Sequence, residues 1–202
     1  MPILVSEILS DFNAEILNYI PNPTAIAKAR IIRLIDKCQR LFAKEGLAFD
    51  DIVYINIKED VDTYTLPTTF LTLYAVEYDE SRLIRLPRGV PAPTTVKYYE
   101  IYDNKIVLTG TPDEDGDALL KVFYYRLPAI TLQITTEEVE LANKHPEFQD
   151  AIIDYLLYEI LKSKPELAQL SIHYWQKFSN AIENCKTKQR KKVAHNLLHI
   201  GL

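Results

Sequence analysis

Four histidines, His145, His173, His195 and His199, are the first place to look for chemistry in this chain. Only His195 and His199 are close. Their i, i+4 spacing would put two imidazoles on one helical face, where they could share a metal ion. No third ligand stands nearby, since Cys185 lies on the other side of a basic run. The pair therefore reads as two polar residues near the end of the sequence. The acidic turn Asp113-Glu114-Asp115-Gly116-Asp117 has the composition of a calcium loop but not its pattern. With Gly116 as the sixth loop position, Thr111 and Val122 occupy the first and last, where Asp and Glu are needed. It reads as a solvated hairpin tip. The carboxylate pairs Asp50-Asp51 and Glu137-Glu138 fall at element starts, where they face water or complement a helix dipole. There is no Gly-x-x-x-x-Gly-Lys loop, no Gly-x-Gly-x-x-Gly, no Gly-x-Ser-x-Gly and no His-Glu-x-x-His. Five glycines leave little room for a phosphate cradle. No catalytic, cofactor-binding or metal-ligating residue is nominated, no cofactor is expected, and the chain does not read as an enzyme.

Two other sets point to contacts rather than reactions. The first is tyrosine, with thirteen in the chain. Tyr98, Tyr99, Tyr102, Tyr124 and Tyr125 gather on two expected strands. On a strand, Tyr98 and Tyr102 share one face and Tyr99 takes the other, so at least one set is expected to look outward. Tyrosine offers a large ring with a polar tip and is enriched at protein interfaces. It also stacks on nucleobases, but such surfaces carry Arg and Lys. Here Glu77, Asp79, Glu80, Glu100 and Asp103 accompany the rings, which favours a protein partner. The second set is the run Lys186, Lys188, Arg190, Lys191 and Lys192, with no acidic residue after Glu183. Without those five cations, 18 basic residues face 28 acidic ones, in a chain whose net charge is −5. An acidic body with one basic stretch calls for an anionic partner, either nucleic acid or an acidic protein surface.

The elements that must position these residues are legible from periodicity. Ile8, Leu9, Phe12, Ile16, Leu17 and Ile20 form one helical stripe. Pro21 ends it and Pro23 is placed to open a second helix, with Ile31, Leu34, Ile35, Cys38, Leu41 and Phe42 on one face and Gly46 as its stop. From Ile52 to Leu127 the period becomes two. Val53, Ile55 and Ile57 alternate with Tyr54, Asn56 and Lys58, and further strands are expected at Phe70–Tyr78, Arg82–Leu86, Thr94–Tyr102, Lys105–Leu108 and Leu119–Arg126. Asp103-Asn104 is a compact hairpin turn. Helix then returns: Pro146 in a first turn, then Phe148, Ile152, Tyr155, Leu156 and Ile160, a break at Pro165, and a last helix with Leu167, Leu170, Tyr174, Phe178, Ala181 and Cys185. The expected fold is α+β. Residues 1–48 form a helical pair, 49–130 an inserted antiparallel β-sandwich or barrel of five or six strands, 131–192 the helices that complete one bundle, and 193–202 an extension.

The 202 residues suffice to bury a core without metal or disulfide. Two cysteines, Cys38 and Cys185, make neither a disulfide framework nor a four-cysteine zinc site. No apolar run spans a bilayer, so no membrane partner is expected, and residues 1–10 lack the basic opening of a signal peptide.

The order of these features resembles the head-to-tail adaptor (connector, tail tubular protein A-like) proteins of short-tailed bacteriophages. The carrying segments are Tyr64-Thr65-Leu66-Pro67 leading into Phe70-Leu71, the hairpin from Tyr99 to Pro112, and Leu119 through Tyr124-Tyr125-Arg126-Leu127-Pro128. Pro146-Glu147-Phe148-Gln149-Asp150-Ala151-Ile152-Ile153-Asp154-Tyr155 follows. The likeness spans roughly Leu4 to Asn180, and it rests on order, spacing and total length. It implies a structural virion protein, made in the host cytoplasm, that forms a dodecameric ring under the portal. It further implies contact with the tail nozzle or fibres, and genomic DNA passing through the lumen without sequence-specific binding. On this reading Lys186, Lys188, Arg190, Lys191 and Lys192, with Leu197, Leu198, Ile200 and Leu202, dock on the portal. The five tyrosines then serve the tail or a neighbouring subunit. The rival readings are another ring of the neck or tail, and a nucleic-acid-binding regulator using the basic stretch.

Overall fold

The structure is a computed structural model that describes residues 2–21, 26–87 and 97–199, with the backbone alone at 195–199. The chain divides into two compact units, residues 1–49 with 128–202, and residues 50–127.

In the helical unit, α1 (Val5–Ile16) buries Val5, Ile8, Leu9, Phe12 and Ile16, the expected stripe. Leu17 departs from it: the helix stops one residue earlier, and Leu17 is 54% exposed at the cap. No side chain caps the start of α1. Its orphan N–H groups are satisfied instead by backbone, with Val5 N donating to Glu137 O (2.9 Å) and Ser6 N to Thr135 O (3.0 Å). α2 (Lys28–Glu45) starts after Ala27, and Pro23, expected to open it, lies outside the described residues. Gly46 follows α2 at φ −90°, and the left-handed residue is Leu47 at φ 56°. The glycine answers a close approach rather than a turn. A Cβ there would stand 2.9 Å from Phe42 O and 3.4 Å from Cys185 Cβ.

Three polar side chains of α2 are anchors the apolar stripe did not announce. Asp36 Oδ1 accepts from Leu132 N (3.1 Å), Gln39 Oε1 accepts from Leu141 N (3.0 Å), and Arg40 Nη2 donates to Thr131 Oγ1 (2.6 Å). They fix the returning strand of chain and the short helix α3 (Glu140–Lys144). A 3₁₀ turn at Pro146–Phe148 leads into α4 (Gln149–Leu161). A second, at Pro165–Leu167, leads into α5 (Ala168–His199). Both prolines sit at first-turn positions, where a missing N–H costs nothing. The core is aromatic: Phe178 lies 4.8 Å from the Tyr155 ring and 5.7 Å from Phe42, which lies 5.4 Å from Phe148.

Glu159 is a buried charge of this unit. It accepts from Lys162 (2.7 Å), Tyr155 (3.0 Å) and Lys37 (3.2 Å). Burial alone would raise its carboxyl; the three hydrogen bonds outweigh burial and hold it below the usual glutamate range. Because the folded value lies below the unfolded one, the stabilisation is complete above the unfolded range and is lost as pH falls through the folded value. Glu159→Gln should cost about 1–2 kcal/mol at neutral pH. Denaturant melts should show the gap to wild type closing in acid; a gap independent of pH would refute the linkage.

The β unit has two four-stranded sheets. β1 (Asp50–Ile57), β8 (Gly116–Arg126), β3 (Phe70–Tyr78) and β4 (Ser81–Arg82) make one. β2 (Thr63–Thr65), β7 (Lys105–Leu108), β6 (Tyr98–Tyr102) and β5 (Ile84–Arg85) make the other. The two share a core of Ile57, Val76, Leu83, Tyr99, Ile106 and Leu120 among others. Asp103 and Asn104 take φ 49° and 57°, a type I′ hairpin as expected. Three expectations need correction. The strand count exceeds five or six, because three-residue β2 is too short for alternation to show. The run Arg82–Leu86 is broken at Leu83, whose N–H returns to Val76 O (2.9 Å). The sheets are not wholly antiparallel, since β5 pairs with β6 in parallel, Ile84 opposite Tyr98. Of the expected strand Thr94–Tyr102, residues 94–96 lie outside the described residues.

Candidate functional site: the basic end of the last helix

α5 has 32 residues, about 48 Å of helix at 1.5 Å per residue. Its inward stripe is Ser171, Tyr174, Phe178, Ile182, Cys185 and Gln189, at spacings of three and four. The stripe sets which cations face out. Lys188 is spent within the chain: its Nζ lies 3.1 Å from Glu147 Oε1 and 5.3 Å over the Phe148 ring. The Glu147 carboxyl is held below the usual range, first by its own backbone N–H and then, against burial, by Lys188. Lys186 is half-buried and lies 3.9 Å from Glu183. Arg190, Lys191 and Lys192 are exposed. Four of the five cations are thus exposed, and of these Lys188 lies against Glu147.

The segment after Lys192 was expected as an extension. It does not continue as an extended arm: α5 runs through His199. Ala194, Leu197 and Leu198 favour helix, and neither Gly nor Pro intervenes before Gly201. Leu197 and Leu198 lie on the helical backbone with side chains outside the described residues, as do Ile200 and Leu202 entirely.

The tyrosine set separates. Tyr102 is 58% exposed and Tyr98 half-buried, on one face of β6 as expected. Tyr99, Tyr124 and Tyr125 are buried, which corrects their assignment to an outward interface. Alternation told which residues share a face, but not that both faces of β8 are covered at 124 and 125. Tyr124 packs on Phe70 (5.8 Å) and Tyr125 on Tyr74 (5.0 Å).

Burial pushes the Cys185 thiol up to about 12 and raises Cys38 well above its ordinary value, so both stay protonated. Among the described residues, no group of three or more His, Cys, Asp or Glu is placed to hold a metal ion. Among them too, no helix is long and apolar enough to cross a membrane.

The described residues form a helical unit with an inserted β module, an α+β architecture. The chain belongs to the SU10 adaptor protein family, whose model matches residues 5–197. It is therefore a bacteriophage adaptor, a structural protein that associates with other phage structural proteins in the virion. A search of curated proteins returns no match.

Proposed function

We propose that this protein is the head-to-tail adaptor itself. Copies form a ring, a dodecamer, beneath the portal; the ring links the portal to the tail nozzle or fibres, and the genome passes through its lumen without sequence-specific contact. One observation carries the reading. In a member of an adaptor family, an unbroken 32-residue helix carries Arg190, Lys191 and Lys192 exposed toward its C-terminal end. A helix held along one face from Ser171 to Gln189 and cationic just beyond is suited to docking on an acidic surface. The apolar residues Leu197, Leu198, Ile200 and Leu202 follow those cations and would enter a groove of the portal. Tyr102, with Tyr98 beside it, offers an aromatic contact for the tail side or a neighbouring copy. The test is binding to the portal ring of the same phage, full-length beside a chain ending at Lys192.

A further inference from the structure

In the β unit, the chain leaves one sheet and joins the other between β4 and β5. Leu83 N bonds to Val76 O (2.9 Å) in the first sheet, and Ile84 N to Lys97 O (3.0 Å) in the second. This switch breaks the alternation that would send residues 82 and 85 to opposite faces. Both arginines instead line one cavity of about 500 Å³, with Tyr74, Leu83, Ile84 and Tyr99. Burial raises the Tyr99 hydroxyl, while Arg85 and Arg82 pull it the other way. Arg82 and Arg85 are exposed, and neither has an ion-pair partner among the described residues. Ile84, 59% exposed, supplies an apolar rim. Guanidinium forks and a phenol around one cavity form a receptor for carboxylates.

The same unit carries the complementary shape. The turn after β1, the β3–β4 turn and the turn before β8 are stitched together. Glu59 N donates to Asp115 Oδ1 (2.7 Å), Asp60 N to Pro112 O (3.2 Å) and Asp79 N to Leu119 O (3.0 Å). They present Glu59, Asp60, Asp79, Asp113, Glu114 and Asp115, all exposed, as one acidic tip. The register places the tip at the opposite end of the sheet from Asp50 and Arg126, where the chain enters and leaves the unit.

We infer that the Arg82–Arg85 cavity of one copy receives the acidic tip, centred on Asp113, Glu114 and Asp115, of a second copy. Such a contact is heterologous: cavity and tip differ, so each copy has one of each left for the next, and the chain of contacts can close into a ring. The proposal deepens the ring reading above by naming the subunit contact, and it rests on that reading.

The test is sedimentation velocity at low salt on the full chain and two charge-reversed variants. The first carries Arg82→Glu and Arg85→Glu; the second carries Asp113→Lys, Glu114→Lys and Asp115→Lys. Wild type should self-associate, less so as salt rises. Each variant alone opposes like charges and should associate about 100-fold more weakly. Mixed one to one, they restore both pairings, glutamate cavity with lysine tip and arginine cavity with acidic tip, and association should return. These substitutions are at exposed positions, and the mixture itself shows that each variant is folded. A monomeric wild type, variants that associate like wild type, or a mixture that stays apart would each overturn the proposal. So would a duplex DNA fragment whose binding is lost in the first variant while self-association is unchanged, since nucleic acid would then be the occupant. Portal binding by the same variants is scored separately: portal capture without self-association removes this contact and leaves the adaptor reading standing.

Discussion

Replacing Phe178 by alanine should destabilise the protein by about 4 kcal/mol, the range for removing a buried aromatic ring. Phe178 is fully buried on α5, between the rings of Tyr155 at 4.8 Å, Trp175 at 5.5 Å and Phe42 at 5.7 Å. Those rings come from α4, from α5 itself and from the sequence-distant α2. The alanine variant leaves a cavity that none of them can fill without leaving its rotamer, so transfer and cavity costs add. Equilibrium denaturation, read by a helix signal, measures the loss. Leucine at the same position should recover about half of it, because it keeps much of the volume without the ring contacts. A loss under about 1 kcal/mol for alanine would mean that α5 is not packed through this residue.

Deleting residues 193–202 should reduce portal affinity by at least about 100-fold, or roughly 2.7 kcal/mol, while the helical unit keeps its stability. The buried stripe of α5 ends at Gln189, with only Val193 half-buried beyond it among residues whose side chains are described. Of the deleted residues whose side chains are described, Val193 is half-buried and Ala194 exposed. The deletion also removes Leu197, Leu198, Ile200 and Leu202, each worth about 1.5–3 kcal/mol when buried against a partner. Retaining the cations through Lys192 separates the two contributions. Residual, salt-sensitive binding by the truncated chain would be the share of Arg190, Lys191 and Lys192. Unchanged affinity would remove the apolar segment from the interface.

Periodicity made the helices readable, because one buried face leaves a repeat of three and four that Ile8, Phe12, Ile35 and Phe178 all obey. Strands of eight or more residues, such as β1 and β3, were equally plain, and Asp103-Asn104 marked its hairpin through side chains that tolerate positive φ. Three kinds of feature were not legible, each for a physical reason. Asp36 and Gln39 look like ordinary polar helix positions; their roles exist only because residues 132 and 141 arrive opposite them. The burial of Tyr124 and Tyr125 depends on what covers each face of the sheet, which a strand's own pattern does not encode. The convergence of Arg82 and Arg85 depends on the sheet change at Leu83, set by a hydrogen bond to Val76. Of the proposed portal site, the charge was legible. What needed the structure was that Lys188 is committed to Glu147 and that α5 continues through the following segment.

The central claim is that this adaptor docks on the portal. Co-sedimentation of the purified full-length protein with the portal ring of the same phage tests it most directly. The account predicts that the protein pellets with the ring at one copy per portal subunit. Protein that stays in the supernatant at saturating concentration, while the portal ring remains intact, would contradict it and would direct the search to another ring of the neck or tail.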